Sequence, residues 1–291
     1  MKRMLISGLL ILMMIFTLSC EKKKKITAIK IAYSNNAFDI AVSHVIKTII
    51  ASQTKLNVDL LEMPEEDIAK SLADGSADLS FSFWLPNTSA DQLNAYKDSL
   101  EFISEYYNDI KTGLAVAEYM PIGSIEQLNS MDSQYPREIV VFDTSSVLTK
   151  SVSDCIDRYQ LANFKIRAFS FEPEMLTYIN HKMEKVEPVI FASYQPHWIF
   201  SSMKIKMLTD NQKVFGSPEK AVIYARKDFS KDLKQISAFL KQINLTTADI
   251  NELMKENEIQ DADPKKIAVT WMEQNVDKIN LWINKAIDSK K

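Results

Sequence analysis

Aromatic and small polar side chains recur at the predicted ends of strands, where a fold can hold a ligand. Aromatic faces attract cations by about 0.5–1 kcal/mol when exposed and by about 2 kcal/mol or more when desolvated, and they suit quaternary ammonium groups. The candidate residues are Tyr33, Asn35, Asn36, Trp84, Asn87, Thr88, Ser145, Tyr194, His197 and Trp198. Together these residue types favour a small molecule with a cationic head and some hydrogen-bonding groups.

A predicted helix start at residues 143–146, with the sequence Asp-Thr-Ser-Ser, adds a second kind of contact. The first turn of a helix leaves backbone N–H groups without partners, and such groups bind anions. Thr144 and Ser145 are therefore candidate contacts for a carboxylate, and a ligand with both an ammonium group and a carboxylate fits. For each residue alone, including Trp84, packing in the core or in a turn is the alternative explanation.

No constellation in the sequence argues for catalysis or for a bound metal. The three histidines, His44, His181 and His197, form no His-x-x-x-His pair, and there are no paired cysteines. The sequence contains no Gly-x-Ser-x-Gly elbow and no glycine-rich phosphate loop. Glu65 and Glu66 fall at a predicted helix start, where acidic side chains complement the helix dipole. We therefore expect no enzyme, no cofactor and no metal.

The stretch 72–86 (LADGSADLSFSFWLP) must position the first of the aromatic residues. Gly75 ends a helix, since glycine adopts the left-handed cap conformation without a clash. Apolar and polar side chains alternate over 79–84, which is the period of a strand, and Pro86 ends that strand because proline cannot donate to a sheet. Trp84 therefore stands where a buried strand opens into a loop, and ligands of open α/β sheets bind at such ends.

Alternation of strands and helices runs from residue 29 to 84 and resumes at about residue 121, which predicts an α/β fold with parallel strands. A polar helix is predicted at 91–100 between the two units. The C-terminal part is helical. Its last helix is predicted to begin at Asp263-Pro264, an N-cap followed by a proline at the first helical position, and to continue through Trp282.

Two apolar strands, at 112–119 and 220–226, join these units. We therefore expect two lobes connected by two crossing strands, with a ligand cleft between the lobes. Lobe 1 would comprise 28–115 plus 221–291, and lobe 2 would comprise 116–220.

Residues 1–19 have the pattern of a secretory signal, with Lys2 and Arg3 before an apolar run that is short for a membrane span. Cys20 follows a small residue directly after that run, as at a bacterial lipoprotein cleavage site. We expect residues 20–27 to form a lipid-anchored tether on the periplasmic face of a membrane or on the cell surface. An uncleaved anchor, or a coincidental cysteine, is the alternative.

The net charge and the cysteine content argue against a nucleic-acid-binding protein and against a disulfide-stabilised fold. The formal net charge of the chain is −3, and it becomes −5 without residues 1–19, which carry two basic and no acidic residues. A mildly acidic exported protein is a poor candidate for binding nucleic acid. Only Cys155 remains after the anchor, so we expect no internal disulfide. We also expect the protein to be a monomer.

Four segments resemble the substrate-binding proteins of glycine betaine/proline ABC transporters. The family's NGDAD…WLP is similar to DGSAD at 74–78 followed by WLP at 84–86, and its KTGLAVPEY is similar to KTGLAVAEY at 111–119. Its SIEDL is similar to SIEQL at 124–128, and its GWxPHWMF to SYQPHWIF at 193–200. The resemblance covers nearly the whole chain after the anchor. It implies a type II periplasmic-binding-protein fold, with two lobes that close on a ligand.

The resemblance also implies roles for particular residues. The family holds a trimethylammonium group in a box of tryptophans, in which Trp84 matches the first and Tyr194 replaces another. Asn36 stands where the family often has tryptophan, and residues 143–146 replace the family's DxGAG. Asn36 and Ser145 therefore favour a more hydrogen-bonded ligand, such as a less methylated amine, an amino acid or choline.

The function that follows is a lipid-anchored solute-binding protein of an ABC importer. Its ligand would be glycine betaine or a related quaternary amine or zwitterion, such as proline, choline or carnitine, and its partners would be the permease and the ATPase. The expected ligand contacts are Trp84, Tyr194, Asn36, Asn35, Tyr33, Ser145, Thr144 and His197. The alternative is a binding-protein scaffold repurposed as a surface adhesin or sensor that binds no osmolyte.

Overall fold

The structure is a computed structural model that describes residues 26–132, 137–259 and 263–288. The predicted signal at 1–19 and Cys20 lie outside the described residues. The first part of the chain alternates strands and helices and ends in a long strand: β1 (Ala28–Tyr33), α1 (Ala37–Gln53), β2 (Asn57–Glu62), α2 (Glu65–Ala73), β3 (Leu79–Leu85), α3 (Ala90–Ala95) and β4 (Leu100–Ala117).

The second part repeats the alternation after a 3-10 helix at Ile125–Ser130. Its elements are β5 (Glu138–Phe142), α4 (Val147–Arg158), β6 (Lys165–Phe169), α5 (Glu172–Glu184), β7 (Ile190–Gln195), α6 (Ile199–Ser202) and β8 (Ile205–Met207). The C-terminal part consists of β9 (Glu219–Arg226), α7 (Phe229–Asp232), α8 (Lys234–Leu240), α9 (Thr247–Ile259), α10 (Pro264–Gln274) and α11 (Val276–Asp288).

The strands form a mixed sheet in the order β2-β1-β3-β9-β4-β7-β5-β6, with β8 added beside β4. The pairs β1–β2, β1–β3, β5–β6 and β5–β7 are parallel, as the alternation predicts, whereas β9 runs antiparallel to β3 and β4. The α/β fold class is therefore confirmed. β4 connects the two halves, since it pairs with β9 over 100–110 and with β7 over 111–116.

Two large hydrophobic clusters flank this strand. One contains buried residues of 29–110, 194 and 221–286, and packs α1 against α9 and α10. The other contains buried residues of 114–215, around β5 and β7. Nowhere in the described ranges is a helix both long and apolar enough to cross a membrane.

Two predicted helices differ from the observed ones. The helix predicted at 91–100 ends at Ala95, because Leu100 and the residues after it pair with β9 in the sheet. The last helix is broken at Asn275 into α10 and α11. The Asn275 side chain donates to the Trp271 carbonyl at 2.9 Å, which competes with the helical hydrogen bonding of the backbone.

Candidate functional site

A cavity of about 410 Å³ lies at the carboxyl ends of the parallel strands from both halves of the fold, and we call it the cleft. Such a volume is within the range of small-molecule sites. Its lining is polar with aromatic and aliphatic patches: Ser34, Asn35, Asn36, Asp39, Glu62, Met63, Pro64, Glu65, Ser82, Trp84, Thr88, Thr112, Phe142, Asp143, Ser145, Ser146, Leu148, Ser170, Glu172, Met175, Ala192, Ser193, Tyr194 and Ile199.

Trp84 and Tyr194 bring an aromatic pair into the cleft from β3 and β7. Their ring centroids are 5.3 Å apart, with the ring planes tilted by 60°. Trp84 also packs edge-on against Phe38 of α1 at 5.5 Å, and Tyr194 packs against His197 at 4.9 Å. Both rings are therefore fixed by neighbours, and each combines packing in the core with a place in the cleft lining.

The loop after Trp84 is held by Glu219 of β9, a carboxylate that is 1% exposed. Its Oε2 accepts the backbone N–H groups of Asn87 and Thr88, both at 2.8 Å, and its Oε1 accepts the Thr88 hydroxyl at 2.6 Å. The backbone N–H of Trp84 donates to the Ser89 hydroxyl at 2.8 Å. These bonds fix the strand end from which the indole projects.

Asn36 lies in the cleft lining as the N-cap of α1. Its Oδ1 accepts the Asp39 N–H at 2.9 Å, and its Nδ2 donates to Ser34 and Asp39. Asn35 and Ser145 also line the cleft, and the Ser145 hydroxyl and N–H both donate to Asp143 Oδ1. These polar groups are thus engaged in local turns and caps, which hold the backbone at the cleft wall.

Tyr33, Thr144 and His197 lie outside the cleft lining. The Tyr33 hydroxyl is 3.3 Å from Glu62 Oε2, and its ring packs edge-on against His44. Thr144 is exposed on the loop before α4. The buried His197 ring lies behind Tyr194. Tyr33 and His197 thus contact the lining residues Glu62 and Tyr194, and Thr144 adjoins the lining residue Ser145 in the sequence.

Glu172 connects the two halves of the fold at the base of the cleft. Its Oε2 accepts the N–H of Ala37 at the start of α1 at 3.0 Å, and its Oε1 is 3.2 Å from Nε2 of His197. Glu172 is 6% exposed and His197 is 2% exposed, so water screens this bridge little. A carboxylate at a helix N-terminus is also stabilised by the helix dipole.

Asp39 is a buried carboxyl group on the α1 side of the cleft, and it is 2% exposed. Its Oδ2 accepts the Ser34 hydroxyl at 2.6 Å and the Asn36 amide at 3.0 Å. Its Oδ1 is buried and has no hydrogen-bond partner among the described residues. Burial raises the pKa of Asp39 to about 6, although the hydroxyl and amide groups around it oppose that shift.

Glu65, the first residue of α2, faces the start of α4 from the other half of the fold. Removal of its carboxyl group from water, together with the nearby carboxyl groups of Asp39, Asp143 and Glu66, raises the pKa of Glu65 to about 8. A hydrogen bond from the backbone N–H of Val147, the first residue of α4, opposes this shift. Glu65 is therefore part of the cleft wall and does more than complement its own helix.

Sequence reasoning missed the acidic residues of the cleft, namely Asp39, Glu62, Glu65 and Glu172. Glu62 ends β2, and Tyr33 ends the neighbouring β1 in register with it. Glu65 follows β2 after only two residues, and Asp39 lies in the first turn after β1. Acidic residues directly after parallel strands are the sequence pattern that predicts such a cluster, because the ends of these strands share one edge of the sheet.

The cleft thus combines two aromatic faces with carboxyl groups and small hydroxyls. Such a surface binds cations by π faces and by charge. Within the described ranges, no group of three or more His, Cys, Asp or Glu side chains has the arrangement to hold a metal ion. The arrangement is that of a binding site for a small organic molecule.

Comparison with known proteins agrees with this geometry. Residues 27–274 match the family model described as the substrate binding domain of an ABC-type glycine betaine transport system. A glycine betaine/carnitine transport binding protein of Listeria monocytogenes is 26% identical over 147 residues, which are 50% of this chain and 48% of that protein. The aligned stretch therefore spans about half the length of that curated relative.

Two solved structures share the fold over most of the chain. One is a lactococcal protein in a closed, liganded conformation complexed with glycine betaine; the TM-score is 0.82 at 21% identity, covering 88% of this chain and 99% of that one. The other is a glycine betaine/L-proline-binding protein from Borrelia burgdorferi, with a TM-score of 0.83 at 21% identity, covering 89% and 98%. The two-lobed architecture of periplasmic binding proteins is therefore the fold of this chain.

Proposed function

This chain belongs to the family of substrate-binding domains of ABC-type glycine betaine transport systems, and we propose that it captures glycine betaine or a related quaternary amine or zwitterion in the cleft. It then delivers the ligand to a membrane permease driven by an ATPase. The observation that carries the proposal is the pair Trp84–Tyr194, whose rings lie 5.3 Å apart in the cleft lining. Aromatic faces favour quaternary ammonium groups, which cannot form ordinary hydrogen bonds.

The family serves transport and is not a family of enzymes, so we propose no catalytic role. The relatives named above are transport or binding proteins, and none of them is described as an adhesin or a sensor. We therefore retain solute capture as the single proposed function. The ligand contacts that we propose are Trp84 and Tyr194 directly, with Asn35, Asn36 and Ser145 at the wall. Tyr33 would support the site through Glu62 and His197 through Tyr194, and Thr144 adjoins Ser145 on the loop before α4.

A titration tests the proposal. The protein without its lipid is titrated with glycine betaine, proline betaine, choline, carnitine, proline and ectoine, and thermal unfolding and tryptophan fluorescence are followed. A ligand at 100 times its Kd stabilises the folded state by about 2.7 kcal/mol, which is readily measured as a rise in Tm. We expect at least one of the methylated ammonium compounds to give this rise. A flat response to all six would contradict the proposed function.

Substrate-binding proteins of ABC importers work on the outer side of the cell membrane, and we propose that Cys20 anchors this one there through a lipid. Cys20→Ala should release the protein into the soluble fraction. Cys155→Ala is the matched control, because Cys155 is buried and its thiol pKa is raised to about 12 by burial and by Asp210. Membrane retention of the Cys20→Ala protein, measured by fractionation and immunoblotting, would contradict the anchor.

A further inference from the structure

Glu172 joins the two halves of the fold from a buried position close to the aromatic pair. It is the first residue of α5, and its Oε2 accepts the N–H of Ala37, the first residue of α1, at 3.0 Å. α1 packs in the first hydrophobic cluster, whereas α5 packs in the second through Met175 and Leu176. The bonded residues are 135 positions apart in the chain. The bond therefore spans the cleft, and it can exist only while the two halves are close together.

The two hydrogen bonds of Glu172 require a carboxylate at this position. Its Oε1 is 3.2 Å from Nε2 of His197. The N–H of Ile199 donates to Nδ1 of the same ring at 3.3 Å, so the ring proton is on Nε2 and is donated to Glu172. Both carboxylate oxygens thus accept from buried donors. An amide has only one oxygen, and its NH2 group would face a donor.

Each hydrogen bond of Glu172 lies behind one ring of the aromatic pair. The start of α1 carries Phe38, which packs on Trp84 at 5.5 Å. The His197 ring packs on Tyr194 at 4.9 Å. Tyr194 projects from β7 in the second part of the chain, yet its side chain packs in the first cluster beside Trp84. Glu172 is therefore placed to fix the position of one ring relative to the other.

We propose that Glu172 is a positioning residue that holds the Trp84–Tyr194 pair in its closed arrangement and slows the release of ligand. The inference rests on the proposed function, since it assumes that the cleft is the ligand site and that it opens for release. In an open cleft, water satisfies the Ala37 N–H and the carboxylate. In the closed cleft they must satisfy each other, because an unpaired buried group is costly. The rate of ligand release therefore depends on this bond.

Substitution of Glu172 by glutamine keeps the size of the side chain and leaves one accepting oxygen for two buried donors. We expect the dissociation rate koff to rise about tenfold, because one donor loses its partner in the closed form only. The association rate kon should stay within about twofold of wild type, since most effects on affinity within one site are in koff. Stopped-flow tryptophan fluorescence measures both rates. The probe is the compound among the six of the titration that binds the wild type most tightly, with glycine betaine tried first.

Glu174→Gln is the matched control for the loss of charge. Glu174 is an exposed acid in the same first turn of α5 and lies outside the cleft lining. The control removes the same charge and leaves the bond across the cleft in place, so its koff should equal that of the wild type. A similar rise of koff in Glu174→Gln would reduce the effect to net charge and would overturn the inference.

Ala37→Pro tests the same bond from the other half of the fold. The first helical position accepts proline, because the N–H there has no partner within the helix. The preceding residue, Asn36, has φ −115° and ψ 155°, a conformation that suits a following proline. Proline thus removes the donor to Glu172 and keeps α1, and koff should rise by about tenfold or more. Because both changes break one bond, adding Glu172→Gln to Ala37→Pro should raise koff little further.

The possible outcomes are distinct. A wild-type koff in Glu172→Gln or in Ala37→Pro would overturn the role of Glu172 and leave the proposed function standing. Partial unfolding alone would lower the stoichiometry in isothermal titration and leave koff of the folded fraction unchanged, and this result would also overturn the inference. Binding of none of the six compounds to the wild type would contradict the proposed function itself, and the inference with it.

Discussion

Replacing Trp84 with leucine is expected to weaken binding of a quaternary ammonium ligand by about 30-fold, measured as Kd by isothermal titration. A desolvated aromatic face contributes about 2 kcal/mol to a cation, and each 1.4 kcal/mol is a factor of ten in affinity. Leucine keeps an apolar side chain of moderate volume against Phe38, which packs on the indole at 5.5 Å. The substitution therefore removes the π face with less damage to the core than alanine would cause.

A control on the same half of the fold separates loss of the aromatic face from a general loss of stability. Phe102 lies on β4, is 50% exposed and packs against Tyr224, away from the cleft. Phe102→Leu should bind with wild-type affinity. Titrations are carried out well below the Tm of each variant, so that unfolded protein does not lower the apparent affinity. Wild-type affinity in Trp84→Leu would show that the indole is a core residue only.

The sequence alone is sufficient to predict the α/β alternation and the aromatic strand ends, because both follow from local patterns. The period of two over 79–84 and the proline that follows place Trp84 at the end of a buried strand, and the structure has β3 end there. The fold class follows from repeated strand–helix units. The type II two-lobed architecture came from the resemblance to a known family, carried by segments that run along nearly the whole chain.

The long-range features could not be read from local patterns. The helix predicted at 91–100 is cut short because β4 extends along β9, a strand more than 100 residues away. Glu65 has the sequence context of an ordinary acid in a helix first turn. Its interaction with Val147 depends on the position of α2 relative to α4 across the cleft. The spacing of residues in the sequence does not predict that position. Asn36 caps α1 through bonds to Ser34 and Asp39 in its own turn, whereas the bond that Glu172 makes to Ala37 joins residues 135 positions apart.

The affinity for a cationic ligand should rise with pH, because the cleft acids must be ionised to attract it. The pKa of Asp39 is about 6, so its ionised fraction increases about tenfold between pH 5 and pH 7. The Kd for choline should fall by up to about tenfold over the same interval. Glu65, with a pKa of about 8, extends the improvement toward pH 8. Titrations at half-unit steps of pH measure this dependence.

The stability of the ligand-free protein should change in the opposite direction. The pKa of Asp39 is about 6 in the folded protein and 3.8 in the unfolded chain. Between these two pH values the folded state therefore holds a proton that the unfolded state has lost. The contribution of Asp39 to the free energy of unfolding is therefore fully present below about pH 4. It is lost as the pH rises through 6, and the loss is about 3 kcal/mol at most. Glu65 acts likewise between pH 4.5 and 8.

The variant Asp39→Asn isolates the contribution of this one group. Asparagine has the same shape, and its oxygen can still accept the bonds from Ser34 and Asn36 that Asp39 Oδ2 accepts. We expect the step in Kd near pH 6 to disappear, and we expect the difference in unfolding free energy between variant and wild type to grow from pH 4 to pH 7 in favour of the variant. A wild-type Kd that is flat from pH 5 to pH 7 would contradict the prediction. Affinity and stability should thus change with pH in opposite directions, because the ionised Asp39 that lowers the stability of the empty cleft is also the group that attracts a cationic ligand.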